Sequence, residues 1–330
     1  MWLLLVCEGL VTMIIASLTG GLGNQLFQYA AARALAYKHG TQLKIDTFAL
    51  DHKDPLREYS LNNFRINAMR ATTRDILRLD KTEGVLRILK SLSNNIHSAL
   101  SVVLHRTGGL RLITRYYEHE LEAPLPPLLV KRVASQRIFD FDEDFFSLPD
   151  DIILIGTWVS YKYFEHIRPI LLNELSLIHE MDSKNAEIAE NIKNTQSVSV
   201  HVRRTDKIND EVHPATDLKY IRLAMDYFNN LLTEPIFYFF SDDITWCKLN
   251  IKNKNSVFVE LNDGSQAYED LRLMSFCKHN IIAESTFSWW GAYLNINQGN
   301  IIISPPAKRW ANRINSSCKD ILPSEWKILE

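Results

Sequence analysis

His201, Arg203, Arg204, Asp206 and Lys207 follow directly on the alternating apolar run Ser197-Val198-Ser199-Val200. Guanidinium forks meet phosphate oxygens in pairs and stay charged at any working pH, so this cluster predicts a phosphate-bearing ligand. An isolated Arg-Arg pair would more simply be a solvated loop with surface ion pairs, but two more polar clusters also close apolar runs. Phe240-Ser241-Asp242-Asp243 ends the most apolar of them. Adjacent acids there suit a divalent metal or the N–H pair of a guanine, and one of them is expected to cap the next helix. Ser285-Thr286-Phe287-Ser288 ends another run, and hydroxyls with free amides at a helix start suit a diphosphate. Near the amino end, Thr19-Gly20-Gly21-Leu22-Gly23-Asn24-Gln25 forms a glycine turn. Gly21 and Gly23 would let a ligand approach the backbone, with Asn24 and Gln25 as neutral hydrogen-bonding arms; the alternative is that Asn24 only caps the helix. The third glycine of a dinucleotide fingerprint is replaced by Leu26, which disfavours a nicotinamide oxidoreductase.

Positioning such clusters requires strands that deliver loops to one edge. Met13 to Leu18 reads as a strand, the Ala-rich stretch to Ala36 as a helix and Gln42 to Asp46 as a second strand, a βαβ opening. Residues 50 to 130 read as a helical insertion with loops, including a helical patch from Thr72 to Leu92, and Pro124, Pro126 and Pro127 mark a break. Ile152 to Trp158 reads as a buried strand, and Pro169 to Asn194 as a helical bridge. Strands near 197–203, 236–240, 256–260, 280–283 and 300–304 then alternate with helices near 216–232, 243–250, 266–277 and 286–294. Four βα steps imply an α/β fold with a parallel, doubly wound sheet, whose ligands bind at the carboxyl ends of the strands. Trp289 and Trp290 are expected in packing between helices and halves.

A net charge of -2 with basic residues spread along the chain excludes a general electrostatic affinity for nucleic acid. Cys7, Cys247, Cys277 and Cys318 form no CxxC pair, which argues against structural zinc and for a reducing cytoplasm. The apolar start is interrupted by Glu8 and lacks a basic flank, so residues 1–12 are expected to be an extension or upstream start rather than a membrane anchor.

Taken in order, Gly20-Gly21-Leu22-Gly23-Asn24-Gln25-Leu26-Phe27-Gln28-Tyr29, His201-Val202-Arg203-Arg204-Thr205-Asp206, Phe240-Ser241-Asp242-Asp243 and Ser285-Thr286-Phe287-Ser288-Trp289-Trp290-Gly291-Ala292 resemble the successive motifs of bacterial galactoside alpha-1,2-fucosyltransferases, glycosyltransferase family 11. The resemblance implies a GT-B architecture of two Rossmann-like domains, expected at 13–168 on the acceptor side and 169–330 on the donor side. It implies GDP-β-L-fucose as donor, inversion at the anomeric carbon, no required metal or other cofactor, and a galactose-terminated surface-polysaccharide or lipid-linked acceptor. With the cytoplasmic reading of the cysteines, peripheral contact with the inner membrane is left open.

Thr205-Asp206-Lys207 is similar to the corresponding segment of alpha-1,6-fucosyltransferases, which keeps that linkage as the alternative. By that similarity His201 and either Asp242 or Asp243 would hold guanine, Arg203 the β-phosphate, and Lys207 and Glu211 would assist the acceptor hydroxyl. Arg204, Ser285, Thr286, Phe287, Ser288, Gly21 and Gly23 complete the expected donor site. Arg203 is the expected electrophilic stabiliser, because charge develops on the β-phosphate as the C1–O bond breaks. Glu211, Asp206 and Asn24 are the ranked candidates for the acceptor proton, and Asp206 is also expected to aim Arg204. An inactive sugar-nucleotide or glycan-binding module and a transferase with a metal on Asp242 and Asp243 are the competing classes.

Overall fold

In the computed structural model, which describes residues 12–52, 57–80, 133–135, 140–204, 215–310 and 318–330, the apolar runs become two parallel sheets. The first joins β1 (Met13–Ser17), β2 (Gln42–Asp46), β3 (Met69–Arg70), β4 (Val133–Ser135) and β5 (Ile152–Ile155) in the order β3-β2-β1-β5-β4. The second joins β6 (Ser197–Val202), β7 (Ile236–Ser241), β8 (Ser256–Phe258), β9 (His279–Ile281), β10 (Ile302–Ser304) and β11 (Lys327–Ile328) in the order β11-β10-β9-β6-β7-β8. Every named pairing is parallel, so the carboxyl ends within each sheet share one edge. Strand order reverses between β1 and β5 in the first sheet and between β6 and β9 in the second. Such switch points open the crevices where α/β sheets receive ligands.

The helices are α1 (Leu22–His39), α2 (Phe48–His52), α3 (Thr73–Leu79), α4 (Arg168–Glu174), α5 (Ser183–Asn194), α6 (Leu218–Leu231), α7 (Ile244–Asn250), α8 (Ala267–Phe276) and α9 (Thr286–Tyr293). Two parallel sheets with helices give the two Rossmann-like halves of a GT-B fold. Helix α1 is buried on nearly all sides, with Leu26, Phe27, Tyr29, Ala30, Ala31, Ala32, Ala34 and Leu35 fully enclosed. Its alanines allow that closeness, and it ends where Gly40 takes φ 62° and returns its N–H to the last turn.

The halves meet in an aromatic seam. Phe27 of α1 lies 4.5 Å from Trp289 and 5.2 Å from Trp290 of α9, between ring centroids, and Phe164 stacks on Trp290 at 5.3 Å. Trp289 donates its indole N–H to the Ile321 carbonyl at 2.7 Å. Both tryptophans are fully buried, so they serve packing between the halves as expected. Each such ring pair adds about 0.5–1.5 kcal/mol beyond area burial.

The expected bridge from Pro169 to Asn194 is two helices. Between them Leu177 pairs antiparallel with Phe64, and Arg65 and Ile178 exchange backbone bonds with Ser176 and Asn63. Asp182 then starts α5 by accepting from the N–H groups of Lys184 and Asn185. The β5 strand stops at Ile155 rather than Trp158, because Gly156 at φ 141° and Trp158 at φ 54° turn the chain. Strand β3 lies inside the stretch read as helix and loop, and β11 adds an edge to the second sheet. Residues 1–11, the patch beyond residue 80 and the proline break lie outside the described residues. Among described residues no helix is long and apolar enough to cross a membrane.

Candidate active site

The β6–β9 switch point carries His201 and Arg203 on one side and Ser285 on the other. The Arg203 guanidinium donates to the Ser285 hydroxyl at 3.2 Å, while its backbone N–H donates to Thr216 Oγ1 at 2.9 Å. Ser285 occupies the N-cap position of α9, yet its side chain caps no backbone amide there. Its hydroxyl faces the arginine instead. Ser288 is internal to the same turn: its oxygen accepts from Ala283 N–H at 3.2 Å and its hydroxyl donates to the Ser285 carbonyl at 3.3 Å.

His201 is 7 % exposed, and its ring lies 5.5 Å from that of Phe287. Burial, then the charge of Arg203, pushes its pKa down to about 4 against an opposing pull from Asp242. The imidazole is therefore neutral near pH 7. Its Nδ1 is buried without a hydrogen-bond partner among the described residues.

At β7 the arrangement is different. Asp242 Oδ1 accepts from the backbone N–H of Arg204 at 2.8 Å. Asp243 caps α7 by accepting from Trp246 N–H at 3.0 Å, as expected of one of the two acids. Its other oxygen lies 3.5 Å from Arg204 Nε, and the Arg204 guanidinium lies 3.8 Å above the Trp246 ring. Arg204 is thus held by an acid and an aromatic face on its own side of the crevice, whereas Arg203 faces α9. Asp206, Lys207 and Glu211 lie outside the described residues, as does the Thr205-Asp206-Lys207 segment as a whole.

The first half contributes the glycine turn. Gly21 is the N-cap of α1, so Asn24 does not cap it; Asn24 Oδ1 instead accepts from the Thr286 hydroxyl at 2.8 Å across the seam. Gly23 has a packing reason as well: a Cβ there would overlap the Thr286–Phe287 backbone and lie 2.6 Å from Thr286 Oγ1. Gln25 is fully buried and spends its amide on the backbone of Gly20, Glu58 and Ser60, so it is no arm toward the crevice. Gly20 takes φ 72°, the left-handed turn that glycine allows.

Sequence reasoning missed Thr216, Trp246 and the ion pair of Glu284 with Arg309. Burial raises the Glu284 carboxyl and Arg309 opposes the rise. The available signal was position, since Arg309 follows β10 at the same carboxyl edge. Among described residues no group of three or more His, Cys, Asp or Glu could hold a metal.

The family model for glycosyl transferase family 11 matches residues 131–330, more than half the chain. An alpha-1,2-colitosyltransferase of Escherichia coli is 30% identical over 97% of this chain and 100% of its own length. The chain belongs to glycosyltransferase family 11. The O-antigen biosynthesis glycosyltransferase WbnK of Escherichia coli is also 30% identical, over 91% of this chain and 95% of its own. The galactoside 2-alpha-L-fucosyltransferase SEC1 of Bos taurus is 29% identical over 46% of this chain and 45% of its own. Among solved structures, fucosyltransferase NodZ from Bradyrhizobium superposes with a TM-score of 0.49 at 13% identity, covering 85% of this chain and 91% of that one. Arg203, His201, Ser285 and the glycine turn come together around the amino end of α9.

Proposed function

We propose that this family-11 enzyme transfers L-fucose from GDP-β-L-fucose to O2 of a terminal β-galactoside, with inversion, during surface-polysaccharide assembly. The observation that carries the reading is Arg203 resting on Ser285 at the β6–β9 switch point, beside the buried neutral His201. In this reading the guanine lies toward His201 and Asp242, and the diphosphate lies against Arg203 and the amino end of α9. The acceptor oxygen forms a bond to C1 as the bond from C1 to the β-phosphate oxygen breaks. The electron pair goes to the phosphate, where Arg203 stabilises it. Glu211, Asp206 and Asn24 are the candidates for handling the acceptor hydroxyl, in that order of preference; a carboxylate would take its proton, whereas Asn24 would only orient it, the proton then passing to solvent.

Arg204 acts one step back by holding Asp243 and the α7 turn. Because Asp242 and Asp243 are already engaged by Arg204 and by α7, we assign charge neutralisation to arginine and no role to a metal; turnover should persist in chelator. The reading extends to a cytoplasmic enzyme working on a lipid-linked acceptor.

A colitosyl donor is the second reading, favoured by the full-length match to the colitosyltransferase. Incubating the purified protein with GDP-fucose or GDP-colitose and a panel of β-galactosides, with the linkage read by NMR, tests both. An α1,2-fucosylated galactoside is the expected product. An α1,6 linkage, a preference for colitose or binding without transfer would overturn the first reading.

A further inference from the structure

Arg57 belongs to none of the motifs above, yet it stands at the glycine turn. It is exposed, and its Nη1 lies 3.9 Å from the point where a Gly21 side chain would begin. Gln25 holds the backbone that follows it. The Gln25 amide donates to the Gly20 carbonyl at 2.9 Å and the Glu58 carbonyl at 2.8 Å, and its oxygen accepts from Ser60 N–H at 3.0 Å. One enclosed side chain thus ties the segment that carries Arg57 to the turn it overlies. Gln25 is fully enclosed, so leaving its amide unbonded would be costly and the tie is firm.

The other end of the turn meets the donor side. Gly23 abuts the Thr286–Phe287 backbone, Asn24 accepts from the Thr286 hydroxyl, and the neighbouring Ser285 accepts from Arg203. An arginine from each half therefore flanks one seam.

We propose that Arg57 is a second donor-binding arginine, brought by the first half to the β-phosphate of a nucleoside-diphosphate sugar, with Gln25 as its positioning residue. The inference rests on the donor reading above. Transfer requires the sugar carbon to face the acceptor side, so the phosphate next to the sugar lies nearest the first half. A guanidinium there would form charge-assisted bonds to the leaving group.

Calorimetric titration of the full chain with GDP and with GMP tests the assignment. Arg57→Ala should weaken GDP about ten-fold, as expected for a lost charge-assisted bond, and GMP less than about two-fold. Arg57→Lys should regain part of the loss. Gln25→Glu, which keeps the side chain's size but removes its donors, should weaken GDP about three-fold with GMP unchanged. Unchanged GDP affinity in Arg57→Ala, or equal losses for GDP and GMP, would overturn the proposal. Wild-type protein that binds no GDP would overturn it together with the donor reading, whereas intact wild-type binding isolates the fault to Arg57.

Discussion

After β7 and after β9 the chain makes similar moves, a short turn with an acid and a serine and then a helix, but the two turns are satisfied in different ways. At β7, Asp243 caps α7 and pairs with Arg204, Asp242 takes the Arg204 amide, and Trp246 covers the guanidinium. The charged groups there pair with one another, although Arg204 Nε meets Asp243 as an ion pair at 3.5 Å rather than through a hydrogen bond. At β9, Ser285 caps nothing in α9 and receives Arg203, while His201 beside it keeps a buried ring nitrogen without a hydrogen-bond partner among the described residues. The β9 turn lies at the switch point and the β7 turn one strand away. Two neighbouring arginines are divided between them: Arg204 builds the crevice wall and Arg203 is turned toward Ser285, where the proposed function places the leaving-group charge. Residue type alone does not distinguish the two roles, because both are arginines on one loop.

That contrast can be broken first at Arg203. Replacing it by Ala should lower kcat with GDP-fucose by about 100-fold or more, the usual loss on removing a donor aimed at developing charge. Steady-state kinetics with the melting temperature as a control for folding provides the check, and near-normal turnover would end its catalytic assignment. Asp243→Ala should act mainly on stability, losing about 1 kcal/mol with the α7 cap, while kcat falls less than about three-fold. Urea unfolding and the same kinetics separate the two effects.

The smallest effect is in pH dependence. His201 is held at about 4 in the folded chain, well below the about 6.5 of an unfolded histidine, so the unfolded state binds more protons between these values. Stability associated with this group is fully present above about pH 6.5 and is lost as pH falls toward 4. His201→Asn should flatten that part of the stability curve, as measured by denaturant unfolding across pH 4 to 7. A curve with the same slope in the variant would remove His201 as its source.

Much of this arrangement was legible in the sequence. The βα alternation of the second half, the glycine turn and the three polar clusters follow from apolar runs that end in polar residues, and the strands place those ends on one edge. The details that separate the two turns were not legible, because they depend on distant partners. Asn24 and Thr286 are 262 residues apart, and nothing local to Gly23 announces the helix that passes against it. The break between α4 and α5 has the same origin, since Leu177 leaves the helical path to pair with Phe64. Gln25 looked like a crevice arm because an amide is equally suited to a ligand or to a backbone clip, and only the neighbouring Glu58 and Ser60 decide it.

Phosphorus NMR of bound GDP tests the division between the arginines most directly. In wild-type protein the β-phosphate resonance should shift on binding; the shift should shrink markedly in Arg203→Ala, leaving at most the part due to Arg57, and persist in full in Arg204→Ala. Equal loss in both variants, or an undiminished shift without Arg203, would contradict the assignment of the leaving-group charge to the β6–β9 turn.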